Sequence, residues 1–599
     1  MKMTKRILSL ALCLALCLSL ALPAMASSGP YTLTINNDAV GHTYEAYQIF
    51  SGDLVTTTEG KDVLSNVKWG SSISNTAGLM TALEAAFPGL LVTGADGNRL
   101  YVGAAGVAEY LSNNVTSDSE SIDLFAEVVS KYLGAAAGTS EKKDGSGNVL
   151  PAAPPYSIGN LSAGYYLIKD RDNSLENAND VYTKSIIRVL KNETVTAKSS
   201  VPEIDKTIND TVDGTFAESE DFDIGDTAYY KWSATLPSNL MSYDIYTYNF
   251  VDTLPKGLKF IRWEQVYIEG HDGNNVHSFY NVENDTAYLA DPGHVAQALP
   301  TGITQEVVEN ADLTTVAKMN FADLFTLYPN ILETHKVVVK YSCLVTRDAM
   351  IVDPMTNKVY AQFSNNPNGE GTGDLGKTPD DVAHAFTFKI TVDKYDADDS
   401  SKKLPGAEFV LYYERIVEEV LTKYYAKVVT EEMVYEADAD GNLTTTLKPE
   451  SERVLPGSAN ATPIDADDIG VVYGWTTVKS EASVLDTDHN GALTVKGLDS
   501  GLYYLEETKA PAGYNLMETP VRINIIAVYN KETGLKESLT YEVDSISQGS
   551  SSTVGVRNSS GSTLPVTGGA GTTMIYVAGV ALIAAAVVLM ISKKRRAEG

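Results

Sequence analysis

The sequence predicts a mainly β protein built of tandem β-sandwich domains, with a few helices near its N-terminal end. Runs of β-branched and alternating apolar residues recur along the chain, as in KVVVKYSCLV at 336–345 and VRINIIAVY at 521–529. Such runs are typical of strands when turn residues bound them. The 34 tyrosines suit half-buried strand positions. Helix-like spacing of apolar residues is confined to 77–90, 104–113 and 121–135.

Two polar linkers divide the chain into three blocks. The first linker, AKSSVP, covers 197–202, and the second, which is rich in Gly, Asp and Pro, covers 366–381. This composition is typical of loops rather than of packed strands. We therefore expect an N-terminal domain at 27–197, a middle β-sandwich at 198–385 and a last β-sandwich at 386–560.

The N-terminal segment 1–26 has the three parts of a secretory signal peptide. It begins with three basic residues within 2–6, continues through an apolar run at 7–22, and ends in Ala-Met-Ala at 24–26. This order predicts export and removal of the segment. The mature chain then keeps one cysteine, Cys343, and cannot form an internal disulfide.

The C-terminal segment 561–599 has a short motif, an apolar run and a basic tail. An uncharged run at 574–591 is about 27 Å long as a helix, which is close to the thickness of a bilayer core. Four basic residues at 593–596 are expected to stay on the cytoplasmic side. The preceding LPVTG is identified as an LPxTG sorting signal, carried by Leu564, Pro565, Thr567 and Gly568.

The sorting signal implies that a sortase cleaves between Thr567 and Gly568 and passes the Thr567 carbonyl to an amine. The partners that follow are a pilus-specific or housekeeping sortase and peptidoglycan. Membrane insertion would be transient, because cleavage removes the apolar run. The expected location is the cell wall or the surface of a Gram-positive bacterium.

Net charge excludes some classes of function. The chain has 46 basic and 77 acidic residues, a net charge of −31. Such a surface repels nucleic acid and anionic lipid. The seven histidines are scattered without metal-ligand spacing, and the sequence shows no catalytic grouping of Ser-His-Asp or Cys-His type. We expect no metal, no cofactor and no enzymatic turnover.

The blocks resemble a known family of surface proteins. GLYYLEETKAPAGY at 501–514 nearly completes the fingerprint of a Cna-B-type domain, which is immunoglobulin-like. VPEIDKTI at 201–208 and VYAQFSN at 359–365 resemble the isopeptide-forming second domain of pilus backbone subunits. The first block fits that family's N-terminal domain less specifically. The resemblance implies tandem immunoglobulin-like, Cna-type β-sandwiches in a Gram-positive major pilin. An insertion at about 414–480 departs from the minimal Cna-B module.

The last block contains the residues that an isopeptide bond requires. Lys394 lies in its first predicted strand, Asn558 in its last, and Glu507 in the strand before the APAGY turn. Burial favours the neutral form of a lysine, and a neutral amine is a nucleophile. A buried carboxyl is driven towards its protonated form and can assist at the amide of Asn558. We expect Lys394 to attack Asn558 once, with loss of ammonia.

The middle block offers a second set. Lys206 follows the first linker, and Asn365 ends the strand YAQFSN. Alternation places Asn365 on the face of Ala361 and Phe363 and places Asn366 on the other face, so Asn365 is preferred. The assisting acid is Asp252, with Glu264 as the alternative. The opening strand of the first block has no lysine, so no Lys–Asn bond is expected from it.

A polymer also needs an acceptor amine, which the family carries near the end of its first domain. Lys198 fits that place and Lys191 is the alternative. The family's usual YPK-type motif cannot be identified in this sequence. The favoured function is a structural pilus backbone joined covalently to other copies of itself, with tip and base pilins as further partners. The competing hypothesis is a monomeric wall-anchored adhesin.

Overall fold

The computed structural model describes part of the chain. It describes residues 30–560 apart from 58, 96, 116–119, 176–179, 198–200, 286–297, 352, 369–374, 441 and 456–462. The predicted signal peptide, the sorting signal with its apolar run, and Lys198 therefore lie outside the described residues. The described residues form two compact units, one running to Phe386 together with Tyr529–Leu535, the other comprising 387–528 and the residues from Lys536.

The first part of the first unit combines two sheets with three helices. Its strands are β1 (Tyr31–Asn36), β2 (Tyr44–Thr56), β3 (Asp62–Trp69), β4 (Gly138–Thr139), β5 (Tyr156–Leu161), β6 (Gly164–Asp170), β7 (Lys184–Val189) and β8 (Glu193–Thr196). Its helices are α1 (Thr76–Ala86), α2 (Gly103–Asn114) and α3 (Glu120–Ser130), with a 3₁₀ helix at Pro88–Leu91. One sheet has the order β5-β1-β8 and the other β3-β2-β6-β7, with β4 beside β2.

The three helices confirm the helical pattern read from the sequence. Their apolar residues pack on the inner face of β2 and β3, in a core that includes Leu79, Leu83, Val107 and Phe125. Helix α1 ends at Ala86, just before Pro88, because proline cannot donate the next helical hydrogen bond.

The second part of the first unit is a sandwich of two sheets. Its strands are β9 (Ile204–Asn209), β10 (Ser219–Asp221), β11 (Thr227–Thr235), β12 (Tyr248–Leu254), β13 (Leu258–Glu269), β14 (Asn275–Asn281), β15 (Ile303–Glu309), β16 (Thr315–Phe321), β17 (Lys336–Val345), β18 (Met355–Ser364), β19 (Leu375–Lys377) and β20 (Asp381–Phe386). Short helices are α4 (Leu324–Leu327) and 3₁₀ turns at Leu240–Ser242, Val282–Asn284 and Arg347–Ile351. The sheet orders are β14-β13-β17-β11-β9 and β10-β20-β18-β12-β16-β15, with β19 beside β18.

The second unit is also built of strands. They are β21 (Phe388–Asp396), β22 (Glu408–Val417), β23 (Val420–Val428), β24 (Tyr435–Ala437), β25 (Leu443–Leu447), β26 (Val472–Thr476), β27 (Leu485–Asp486), β28 (Ala492–Leu498), β29 (Gly501–Lys509), β30 (Val521–Tyr529), β31 (Lys536–Val543), β32 (Ile546–Ser547) and β33 (Thr553–Asn558). Helix α5 (Glu431–Val434) and 3₁₀ turns at Ala466–Asp468 and Lys479–Glu481 complete it. The expected mainly β class is confirmed.

The topology of the second unit brings its first and last described strands together. The order β28-β21-β33 forms one sheet, in which β21 and β33 are parallel neighbours. The other sheet has the order β26-β23-β22-β29-β30-β31-β32, with β27 beside β22. The insertion at 414–480 lengthens β22 and adds β23 and β26 to this sheet, and it also supplies the separate pair β24-β25.

Alternating burial turns every second side chain of the key strands inward. In β21 the buried set runs through Ile390, Val392 and Lys394, and in β33 it runs through Val556 and Asn558. Because strand side chains alternate between faces, a lysine that follows this pattern must enter the core. Among the helices of the described ranges, none is long and apolar enough to cross a membrane.

Two buried lysine clusters as the candidate functional site

The structure brings the three predicted residues of the last block together. Lys394 on β21 is fully buried, and Glu507 on β29 and Asn558 on β33 are 4% and 2% exposed. The parallel register sets Lys394 opposite Val556 and Asp396 opposite Asn558, so the lysine and the asparagine share the inner face. The three side chains converge although they come from both sheets.

The contacts within this cluster join the amine, the acid and the amide directly. Lys394 Nζ contacts Asn558 Oδ1 and lies 2.9 Å from Glu507 Oε1. Asn558 Nδ2 donates to both oxygens of Glu507, at 3.1 and 3.0 Å, and to the backbone oxygen of Asn515 at 2.9 Å. The ring of Phe409 lies 5.1 Å from the amine. One carboxyl group therefore touches both the amine and the amide nitrogen.

The environment favours a reactive amine. Burial lowers the pKa of Lys394, although the neighbouring Glu507 opposes that shift. A lower pKa increases the neutral fraction of the amine, which is the nucleophilic form. A neutral amine in contact with a side-chain amide can attack its carbonyl carbon and expel ammonia. This arrangement is therefore able to form an isopeptide bond.

The middle sandwich holds a second buried amine and acid. Lys206 on β9 and Asp252 on β12 are both 0% exposed, and Lys206 Nζ contacts Asp252 Oδ2. Trp232 Nε1 donates to the same carboxylate oxygen at 2.6 Å, and the Tyr341 hydroxyl donates to it at 2.8 Å. Burial lowers the pKa of Lys206 and raises the pKa of Asp252, so both groups are driven towards their neutral forms. The alternative acid, Glu264, instead binds Arg262 at 2.8 Å.

The structure does not bring Asn365 to this cluster. Asn365 lies just beyond the end of β18, where its Nδ2 donates to the backbone oxygen of Asp180 at 3.3 Å. Its own backbone oxygen accepts from the amide of Tyr182 at 2.9 Å. Asn365 therefore contacts the first part of the unit, and this geometry corrects its choice as the partner of Lys206. The rival Asn366 accepts from the backbone amide of Asn368.

Asn357 is the asparagine that lies at the cluster. It stands on β18, eight residues or about 26 Å of strand before Asn365. It is 0% exposed, and its Nδ2 donates to the Tyr341 hydroxyl at 2.8 Å. That hydroxyl lies 3.0 Å from Lys206 Nζ. The sequence contained a signal for it, because Asn357 belongs to the same inward alternation as Ala361 and Phe363.

A third buried lysine was not anticipated from the sequence. Lys184, which begins β7, is 1% exposed, and its Nζ contacts Glu127 Oε2 on α3 and the backbone oxygen of Pro367. Glu127 also pairs with Lys131 at 3.1 Å. Burial lowers the pKa of Lys184. Lys184 and Glu127 form a buried ion pair within the first part of the unit, and the contact with Pro367 links that part to the second.

A buried histidine forms a further charged group in the first part of the unit. His42 Nδ1 lies 2.8 Å from Asp170 and Nε2 lies 2.9 Å from Asp180. Burial opposes the charged imidazolium, but the hydrogen bonds to the two carboxylates outweigh it and raise the pKa of His42 to about 9. The doubly bonded imidazolium ties β6 to the segment that leads into β7.

The remaining predicted residues have no described contacts that bear on polymerisation. Lys198 and the residues 564–568 lie outside the described ranges. Lys191, the alternative acceptor, is exposed in the turn between β7 and β8. The single cysteine of the described ranges, Cys343, is buried as a free thiol.

Comparison with solved structures places similar chains among pilins. The T6 backbone pilin of Streptococcus pyogenes serotype M6 is 16% identical, with a TM-score of 0.41 over 90% of this chain and 100% of that chain. The full-length major pilin SpaD from Corynebacterium diphtheriae is 14% identical, with a TM-score of 0.38 over 89% and 98%. The major pilin SpaA from the same organism is 14% identical, with a TM-score of 0.36 over 88% and 100%.

The comparison with protein families is more local. A search of curated proteins gives no match. Residues 463–539 match the SpaA family, described as a prealbumin-like fold domain. This stretch contains the strand of Glu507 and the strands that precede and follow it along the chain. Residues 463–539 of the last block are therefore similar to a SpaA prealbumin-like fold domain.

Proposed function

We propose that the chain is the backbone subunit of a sortase-assembled pilus, stabilised by self-formed isopeptide bonds. The observation that carries the proposal is the buried cluster of Lys394, Glu507 and Asn558, in which an amine contacts a side-chain amide and an acid contacts both. The bond in the middle block joins Lys206 to Asn357, assisted by Asp252. Each bond forms once within its own molecule, so the protein is not an enzyme.

Assembly follows from the two ends of the chain. The order of signal peptide, LPVTG, apolar run and basic tail supports export, a pause in the membrane and transfer of Thr567 by a sortase. The acceptor is a lysine of another copy. Lys198 is the favoured candidate and Lys191 is the alternative. The last subunit added is joined to peptidoglycan, which fixes the polymer to the cell surface. The three predicted blocks act as successive domains of this shaft.

Intact mass tests the bonds. The mature chain is expected to weigh two ammonia masses less than its sequence, and proteolysis should yield the linked pairs Lys206–Asn357 and Lys394–Asn558. Lys394→Ala should lose only one ammonia. A chain at its full sequence mass would refute self-formed bonds.

Denaturing gel electrophoresis of wall extracts tests the polymer. A ladder of high-mass species that disappears in Thr567→Ala supports the backbone role. A single band of monomer mass would support the competing hypothesis of a monomeric adhesin.

A further inference from the structure

The two lysine clusters differ in how the acid reaches the leaving group. In the last block Glu507 contacts the amine of Lys394 and also accepts from the amide nitrogen of Asn558. A single carboxyl can therefore take a proton from the attacking amine and deliver one to the departing nitrogen. In the middle block the acid is Asp252, which is one methylene shorter. Its described hydrogen bonds involve Lys206 and two ring donors, none of them the amide nitrogen of an asparagine.

The hydroxyl of Tyr341 occupies the position between the amine and the amide nitrogen. It lies 3.0 Å from Lys206 Nζ and accepts from Asn357 Nδ2 at 2.8 Å. It donates its own proton to Asp252 Oδ2 at 2.8 Å. A phenolic hydroxyl has one proton and two lone pairs, and these three contacts use all of them. Tyr341 is 0% exposed, so bulk water does not compete for the hydroxyl.

Two buried oxygens of the cluster lack a hydrogen-bond partner within the described ranges. They are Asp252 Oδ1 and Asn357 Oδ1. Buried polar atoms are rarely left unpaired, and exceptions often mark a reactive site. Among the described contacts Asp252 has no hydrogen bond to the amide nitrogen of Asn357, so proton transfer to that nitrogen requires another group.

We infer that Tyr341 is a catalytic residue of the middle-block bond, acting as the proton relay that Glu507 provides alone in the last block. This inference rests on the proposed function. The neutral amine of Lys206 attacks Cγ of Asn357, and a nitrogen–carbon bond forms. In the tetrahedral intermediate Nδ2 is a basic amine, so the Tyr341 hydroxyl turns its proton from Asp252 to Nδ2. The amine of Lys206 passes one proton to the Tyr341 oxygen while the hydroxyl proton moves to Nδ2. The Cγ–Nδ2 bond breaks, ammonia leaves, and the hydroxyl is regenerated.

The test follows each bond over time in one molecule. The full chain is synthesised in a cell-free reaction with detergent and quenched in acid at intervals, and each linked peptide is quantified by mass spectrometry. Tyr341→Phe is expected to slow the Lys206–Asn357 bond by about 10²–10⁴-fold, the usual contribution of a positioned acid or base. The Lys394–Asn558 bond should keep its rate and serves as the internal reference.

The matched control is Tyr246→Phe, which removes a buried hydroxyl with no hydrogen-bond partner in the described part of the same sandwich. It should leave both rates unchanged. If Tyr341→Phe forms the middle bond within about twofold of the wild-type rate, well below the usual contribution of an acid or base, the relay is refuted. If the wild-type chain itself never forms the middle bond, the proposed function fails instead.

A second variant tests the relay even if Tyr341→Phe does not fold. Replacement of Tyr341 by 3-fluorotyrosine keeps the hydroxyl and the packing but makes the hydroxyl more acidic. If Tyr341 is the relay, the pH–rate profile of the middle bond in the 3-fluorotyrosine chain should lie at lower pH than the wild-type profile. A tyrosine that only packs predicts the wild-type profile, and that result would overturn the inference.

Discussion

Asn558→Ala prevents the proposed bond of the last block and leaves the side chains of Lys394 and Glu507 unchanged. The bond would close a loop between residues 164 positions apart. Carried over from disulfides, the chain-entropy estimate for such a loop is about 5 kcal/mol of stability. The free energy of unfolding of this block should therefore fall by about 5 kcal/mol.

Differential scanning calorimetry measures this loss. For a block of this size each kcal/mol shifts Tm by about 2–4 °C, so the transition of the last block should fall by at least about 10 °C. Asn524→Ala is the matched control, because Asn524 also bonds a glutamate, Glu542, at 3.3 Å but lies on β30 away from Lys394. It should lower Tm by no more than about 4 °C. Equal Tm values for the two variants would refute the covalent link.

Three further outcomes follow from the other buried groups. Asn357→Ala should weigh one ammonia less than its own sequence mass, because only the last-block bond forms, whereas Asn365→Ala should still weigh two ammonia masses less. The reverse pattern would favour Asn365 as the partner of Lys206. The pKa of His42 is raised from 6.5 to about 9, so its contribution of about 3 kcal/mol is complete below pH 6.5 and declines as pH rises through 9. Urea unfolding across that range should show the decline in the wild type and not in His42→Gln. Lys184→Met should lower the free energy of unfolding by roughly 3 kcal/mol, and Glu127→Leu in the same chain should recover most of it; no recovery would argue against a buried ion pair.

The last-block cluster could be predicted from the sequence because strand alternation and a family fingerprint both apply to its residues. Alternation sets which side chains of a strand face inward, and the first and last strands of this sandwich are neighbours. The fingerprint at 501–514 placed Glu507 on the strand that crosses the same core.

The middle-block partner could not be predicted in the same way. Alternation correctly selected the inner face of β18, but Asn357 on the strand and the buried Asn365, one residue past its end, both fit that alternation. Only the pairing of β12 with β18, which sets Asp252 opposite Val359, identifies the position along the strand that meets the acid. Pairings of this kind depend on residues about a hundred positions apart, and one sequence does not reveal them.

The buried ion pair of Lys184 could not be predicted from the sequence for a related reason. A lysine is usually exposed, and the sequence around Lys184 contains nothing that overrides that expectation. Its burial depends on Glu127, 57 residues earlier, and on the backbone of Pro367, 183 residues later. The helices α1–α3, by contrast, could be predicted because the spacing of their apolar residues is a local property of the sequence.

The two proposed bonds would resist force in different ways. In the last block Lys394 and Asn558 lie on adjacent parallel strands of one sheet, so a bond there carries tension directly from the first strand to the last. In the middle block Lys206 lies on β9 in one sheet and Asn357 on β18 in the other, so the bond fastens the two sheets across the core. The chain continues beyond Asn357 through β18, β19 and β20. Tension reaching that block from its C-terminal side is therefore resisted first by the hydrogen bonds of β20. The covalent bond bears the load only after β20, β19 and the part of β18 beyond Asn357 have detached.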